Sequence, residues 1–339
     1  MDYKEQICSF DNLYEAYKEV SHGKKYNQEF QKFQFNLEEN LIELQNELIW
    51  GTYTVSPTVS FFIHEPKLRL ITRPVIRDRI VHHALIRVVK NEFEKVFNPR
   101  SYACREGKGQ LAVCNELSHM QRQAINKFGF HFGVVEIDIK SYFATIDHRV
   151  LLFFLGEVFH HDNFIMSLFN QIVAAVDQGL PIGFLTSQYE ANLIGTVADY
   201  MLDALSLKYQ LYHIRYMDDY RIYCKDKDTA KIILQEIDDL FSEKLRQRLS
   251  PNKTKYHLFQ GKDLFCGYNV APHHLEAKTA TVKRAERRLN KKIRDYNSGK
   301  ISSSMLCISA KNLLAYLSHT TISSNELAET CIQLAEKTS

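Results

Sequence analysis

Two adjacent carboxylates, Asp218 and Asp219, sit between two short runs of strand character in HIRYMDDYRIYC. Tyr212, Ile214 and Tyr216 come before them and Tyr220, Ile222 and Tyr223 after, a pattern that predicts a β-hairpin with acid at its tip. Eighty residues earlier, Asp138 ends another apolar run in VVEIDIKSYF. Three carboxylates delivered this way have the donor chemistry to hold two divalent cations, the apparatus of nucleotidyl transfer. Without a cation, their mutual repulsion would drive pKa values upward. Asp-Asp is also common in solvated turns, so the pair by itself fits either reading.

Other blocks carry residues suited to phosphates and nucleotides. In EIDIKSYFATIDH the Ile139 carbonyl is a further hard-cation ligand. Phe143, five residues beyond Asp138, can sit under a nucleotide sugar and clash with a 2′-hydroxyl; core packing accounts for it equally. In EPKLRLITRP, Lys67, Arg69 and Arg73 share a strand face, placed to meet a triphosphate or to protect a sheet edge. SYACREGKG sets Arg105 and Lys108 beside glycines, suited to a phosphate backbone. QGLPIGFLTSQYEANL holds a constrained loop (Gly179, Pro181, Gly183) that opens a helix at Ser187-Gln188. Lys253 in LSPNKTKY is placed to protonate a leaving pyrophosphate, or is an ordinary surface lysine. LFCGY (Phe265, Gly267, Tyr268) reads as a tight β-turn edge able to press on a primer strand.

The positioning elements follow from periodicity. A helix is predicted over 28–50, ending at Gly51, then strands over 59–64 and 68–72 around Pro66. Helices follow over 75–97 and 109–126, then the Asp138 strand, a helix from about 148, a loop over 177–185 and a long helix over 186–207. After the hairpin come a charged helix over 228–248, strands over 256–259 and 264–270, and a wholly helical tail from 279. In TVKRAERRLNKKIRDY, Val282, Ala285, Leu289, Ile293 and Tyr296 share one helical face. Lys283, Arg284, Arg287, Arg288, Lys291, Lys292 and Arg294 surround the rest, which suits template–primer phosphates, a soluble basic helix or an acidic protein partner. The uneven alternation of strands and helices is an α+β signature.

Bulk composition excludes several classes. The chain has 339 residues, 45% of them hydrophobic, which fits a globular protein of two or three subdomains. A net charge of +3 leaves partner choice to local patches. Seven scattered cysteines without a C-x-x-C pair argue against a disulfide framework or a structural zinc. No apolar segment is long enough to span a bilayer and none resembles a signal peptide, so a cytoplasmic protein is expected.

In this order and spacing, the blocks resemble reverse transcriptases. Asp138 matches the family's first catalytic aspartate, YMDD its hairpin motif, and FCGY its primer-grip FLGY. The resemblance runs from SFDNLYEAYKEVSHGKKY to TVKRAERRLNKKI. Within the family, IGFLTSQ is similar to the IGxxxSQ signature of bacterial diversity-generating retroelement enzymes, and FFIHEPKLRLI, RDRIVHHAL and SYACREGKG also look like that group. The departures are Phe184 in IGFLTSQ, and Tyr220 and Arg221 in a strand that is usually more apolar.

The resemblance implies an α+β right-hand polymerase fold with an antiparallel palm sheet. Fingers would span 1–133, a palm 134–270 with a helical insertion at 150–178, and a small helical thumb 271–339. Asp138, Asp218 and Asp219 would be the catalytic, metal-binding carboxylates, with two Mg2+ ions that Mn2+ can replace. Lys67, Arg69, Phe143, Ile182, Gln188 and Lys253 would meet the nucleotide, with Phe143 as sugar gate and Ile182 and Gln188 against the nascent base pair. Arg105, Lys108, Phe265, Gly267, Tyr268, Arg284, Arg287, Arg288 and Lys291 would contact nucleic acid. Implied partners are dNTPs, a dedicated structured template RNA, nascent DNA, and an accessory protein, a second polymerase subunit or a second copy of the chain, with no membrane. The implied function is RNA-directed DNA synthesis in a diversity-generating retroelement. The alternatives are an anti-phage defence enzyme copying an associated non-coding RNA, and a non-catalytic RNA-binding scaffold. No ribonuclease H, integrase or HNH nuclease segment is visible, so priming, strand removal and integration are expected from elsewhere.

Overall fold

Helical periodicity governs the first fifty residues and breaks where the sequence offers Asn36. In the computed structural model, which describes residues 2–24, 26–64, 68–320 and 325–336, α1 (Tyr3–Cys8) and α2 (Phe10–Ser21) precede α3 (Gln28–Phe35) and α4 (Leu37–Trp50). The helix expected over 28–50 is therefore two, because Asn36 leaves helical geometry at φ −119° and ψ 47°. Asparagine competes for backbone hydrogen bonds and so favours such breaks. Gly51 ends α4 in the left-handed conformation that glycine adopts cheaply.

β1 (Val59–Ile63) and β2 (Arg69–Arg73) form an antiparallel hairpin with Val59 opposite Arg73. Most of it is exposed, and Thr72 N–H donates to the Ile182 carbonyl at 3.0 Å, tying the hairpin to the Gly-rich loop. Gly183 is required at that junction: its φ is 132°, and a Cβ there would lie 2.6 Å from the Thr72 carbonyl oxygen. Next come α5 (Ile76–Val96), α6 (Gln110–Phe128), β3 (Gly133–Asp138), α7 (Tyr142–Thr145), α8 (His148–Val158), α9 (Asn163–Val173) and α10 (Leu185–Tyr209). They lead into the hairpin β4 (Tyr212–Tyr216) and β5 (Asp219–Cys224), then α11 (Lys227–Lys244) and β6 (Lys255–Leu258).

These four strands make one antiparallel sheet in the order β4-β5-β3-β6. Period-two alternation sorts its residues onto two faces. Val135, Ile137, Tyr220 and Ile222 join the main core, which also takes in residues of α5, α10 and α11. Val134, Ile214 and Tyr223 face a second core with α6 and the next sheet.

The single strand expected over 264–270 is a hairpin of β7 (Asp263–Phe265) and β8 (Tyr268–Val270), turning at Cys266-Gly267. Both turn residues have positive φ, 48° and 87°. β9 (Leu275–Ala277) pairs with β8, so this sheet runs beyond the boundary expected at 270. The tail is α12 (Thr279–Asn297), α13 (Ser303–Leu317) and α14 (Asn325–Glu336), with its own small core around Leu289, Leu306 and Leu317. Among the described residues, no helix is long and apolar enough to cross a membrane.

Candidate active site

Register brings the acids together. Asp138, the last residue of β3, lies directly opposite Asp219, the first residue of β5. Asp218 immediately precedes Asp219, in the two-residue turn with Met217 that closes the β4–β5 hairpin. Burial pushes the Asp219 carboxyl up to about 6, helped by the charges of Asp218 and Asp138 and opposed by Arg221 and Lys253. Asp218 is raised too, chiefly by burial. Lys253 Nζ donates to Asp138 Oδ2 at 2.5 Å. That bond raises the lysine's own pKa, so Lys253 is an ammonium at neutral pH.

The turn is held from beneath by Arg215, which the sequence reading did not single out. Met217 sits at φ 57°, unusual for a non-glycine residue. The fully buried Arg215 guanidinium donates to the Met217 carbonyl at 3.1 Å. Its Nε bonds both oxygens of Asp199 on α10, at 3.0 and 2.9 Å, and Nη1 reaches Asn192 Oδ1 at 3.1 Å. Gly195 leaves room for this, since a Cβ there would lie 2.3 Å from Arg215 Nη1. The one available signal was an arginine alternating into an apolar strand; its partner lies 16 residues earlier, on a helix.

Two clefts flank the acids. The first, about 590 Å³, is lined by Arg69, Phe143, Ile182, Gln188, Asp218 and Lys253, gathered from six separate elements or loops. Lys67 lies outside the described residues. Arg73 does not join the cleft: its Nη1 pairs with Glu29 at 2.9 Å, so of the two described strand cations Arg69 lines it and Arg73 does not. Phe184 is buried with its ring 4.9 Å from that of His82, which makes this sequence departure a packing residue.

The second cleft, about 700 Å³, opens on the other side and is lined by Asp138, Asp219, Arg221, Lys255, His257 and the Cys266-Gly267 turn. Here the placement of LFCGY needs correction. The Phe265 and Tyr268 side chains are only 2% and 5% exposed and belong to the second core; Phe265 borders the cleft beside the Cys266-Gly267 turn and Tyr268 does not, so a strand there meets chiefly the turn. Arg105 and Lys108 need correction as well. Arg105 pairs with Glu94 at 2.7 Å and donates to the Asn98 and Ser101 carbonyls, leaving its side chain 8% exposed. Lys108 donates to the Pro99 and Ser101 carbonyls, and burial with the Arg105 charge pushes its pKa down to about 8. Both cations brace the 98–101 loop and do not present themselves to a phosphate backbone.

α12 begins one residue after Lys278, which lines the second cleft. Leu289 is buried and Val282 and Ile293 pack on the same small core, while Arg284, Arg287, Arg288 and Lys291 are exposed. If this edge meets template–primer phosphates, binding releases counterions, and replacing Arg284 and Arg287 together by Glu is expected to lower the salt slope of primer–template binding by about 2. Binding isotherms at several salt concentrations measure that slope, and an unchanged slope rules the helix out.

The donor set fits divalent cations. Asp218 and Asp219 are carboxylates that burial and mutual repulsion make hard to ionise, and a hard cation relieves both penalties. Glu136, His257 and Asp263 also bring ligand atoms within 4.8 Å of one another. That trio is already charge-matched. Burial alone would raise Glu136, but the His257 hydrogen bond with Arg221 and Lys255 holds it at about 2, and Asp263 accepts from Tyr223 and Gln121. The open acids are those of the strand-and-turn pair.

The chain is similar to several known proteins. The chain is 25% identical over 278 residues to protein YkfC of Escherichia coli K12, covering 67% of this chain and 70% of that protein. It is 26% identical over 175 residues to the putative COX1/OXI3 intron 1 protein of Saccharomyces cerevisiae, covering 48% of this chain and 20% of that one. Among solved structures it is similar to apo telomerase from Candida tropicalis, with a TM-score of 0.57, 13% identity and 84% of this chain covered. Telomerase from Candida albicans, bound to a fragment of telomeric RNA, gives 0.53, 10% and 84%. The chain spans 59% and 62% of those two telomerase chains. The fold is the α+β right-hand polymerase fold. Residues 63–305 match the family described as reverse transcriptase (RNA-dependent DNA polymerase), and the chain belongs to that family.

Proposed function

We propose that the chain is an RNA-directed DNA polymerase that copies a dedicated structured RNA into cDNA, in a diversity-generating retroelement. One observation carries the polymerase reading: Asp138 faces Asp219 across β3–β5 with Asp218 beside it, between a nucleotide-sized cleft and a strand-sized one. The retroelement assignment rests on the IGFLTSQ segment, whose Ile182 and Gln188 line the first cleft beside Phe143.

Asp138, Asp218 and Asp219 would hold two divalent ions, Mg2+ or in its place Mn2+, which lower the pKa of a primer 3′-hydroxyl and offset charge on the departing pyrophosphate. Arg69 meets the triphosphate from the β1–β2 hairpin and stabilises charge that develops on it. Lys253, already protonated, stands beside Asp138 as proton donor to the leaving group. Phe143 closes the floor of the cleft under the sugar, and its backbone is fixed by the Leu180 N–H, which donates to its carbonyl at 2.7 Å. The template RNA and nascent DNA take the second cleft and the basic edge of α12.

Primer extension on an RNA template tests this reading. Wild-type chain extends with dNTPs and rejects rNTPs. Phe143→Ala removes the clash and raises relative rNTP incorporation about 10- to 100-fold. Extension that needs no template, or that uses rNTPs equally well from the outset, contradicts it.

A further inference from the structure

Arg221 breaks the apolar pattern of its strand, and nothing in the proposed chemistry uses it. It follows Asp219 by two residues, so the two side chains leave β5 on the same face. Its strand partner is Glu136, two residues before Asp138. The guanidinium is 7% exposed and makes four contacts. It pairs with Glu136 Oε2 at 3.1 Å and donates to the Tyr220 carbonyl at 2.8 Å. Across the cleft, Nη2 donates to the Leu264 carbonyl at 2.7 Å, and the group lies 4.8 Å from the centre of the Phe265 ring. The last two partners are the residues that lead into the Cys266-Gly267 turn.

One strand step further on the same face, the Tyr223 hydroxyl donates to Asp263 Oδ2 at the base of β7. Gln121 Nε2 ties that carboxylate to the Val270 carbonyl on β8. The face of β5 that begins with a metal-binding carboxylate thus continues as the seat of the β7–β8 hairpin. No backbone pairing joins the two sheets, whose strand orders are separate. Among the described residues, the hydrogen bonds from β5 to this hairpin are side-chain bonds from Arg221 and Tyr223.

We infer that Arg221 is a positioning residue that holds the strand-contacting turn at a fixed distance across the second cleft, and so sets how tightly primer–template is gripped there. The role needs a fork. One planar group must reach a carboxylate on one side and a carbonyl with a ring face on the other, which guanidinium can do and a single ammonium cannot. Arg221 can act this way only if the chain extends primers as proposed above.

Steady-state extension of a DNA primer annealed to an RNA template, with wild-type chain, Arg221→Lys and Arg221→Met, tests it. Lysine keeps the charge opposite Glu136, which protects the fold, but gives up the Leu264 bond and the ring contact. Losing a charge-assisted hydrogen bond corresponds to about a tenfold effect or more. Both variants are therefore expected to raise KM for primer–template about tenfold, and Arg221→Lys, which keeps the positive charge beside Asp219, to leave KM for dNTP unchanged and kcat at saturating primer–template within about twofold. Lysine restoring wild-type KM overturns the inference, because the ion pair with Glu136 would then suffice. A fall in kcat with a changed dNTP KM in Arg221→Lys overturns it too, because the effect would then run through Asp219 with the charge still in place. If wild-type chain extends no primer, the polymerase reading itself fails. If wild-type extends and both variants match it, only the role of Arg221 fails.

Discussion

Asp218→Asn abolishes primer extension, lowering the rate by about 10³-fold or more, while the chain stays folded. The expectation follows from where the charge sits. Asp218 is in a turn whose backbone is anchored by Arg215 through the Met217 carbonyl, so a change at the side chain leaves the turn in place. Asparagine keeps the shape and one oxygen but removes the negative charge that a hard cation requires. The wild-type carboxyl has a raised pKa because burial disfavours its ionised form. Neutralising it therefore does not weaken the fold, and the melting temperature should hold or rise while activity is lost. Circular dichroism melts run beside extension assays separate the two effects. A variant that extends at the wild-type rate removes Asp218 from the chemistry.

Asp199→Asn is expected to cost about 3–5 kcal/mol of stability, because it strands the buried Arg215 charge without its counter-ion. Both side chains of this pair are fully buried, with 2.8 Å between Nη2 and Oδ2. The loss corresponds to a fall in melting temperature on the order of 10 °C for a domain of this size. Removing both charges should act differently. Arg215→Met combined with Asp199→Leu replaces the pair by apolar side chains, which is often neutral for stability. The double variant should recover most of the melting temperature. It should not recover extension, because no guanidinium is left to hold the Met217 carbonyl beneath the acidic turn. Differential scanning fluorimetry and extension assays on the two variants measure both. A double variant as active as wild type would show that Arg215 serves folding alone.

How far the sequence exposed this arrangement depended on whether an interaction was local. The β4–β5 hairpin was readable because alternation and a short turn are encoded within twelve residues; β3 ends at Asp138 as expected, and α5 and α10 fell close to their expected spans. The break at Asn36 was hidden because apolar spacing continued on both sides of it. The turn at Cys266-Gly267 was legible in LFCGY, but strand-like spacing continues from Leu264 to Val270 and hid the two separate strands that flank it. Arg105 and Lys108 show the main limit for sites. A cation beside glycines has the composition of a phosphate grip, but Glu94 and a loop of backbone carbonyls capture these two side chains when the chain folds. Arg73 is captured by Glu29 in the same way. Arg215 and Arg221 are the reverse case: Arg221 looked like a local irregularity and Arg215 drew no notice, and their partners come from α10, β3 and β7.

The central claim is that Asp138, Asp218 and Asp219 form one centre that takes up divalent cations. Binding of Mn2+ to the chain with primer–template, followed by electron paramagnetic resonance, tests it with no dependence on turnover. Wild-type chain should bind the ion at a site that Asp218→Asn weakens severely, and Mg2+ should compete for that site. Equal Mn2+ binding by wild type and variant would contradict the account.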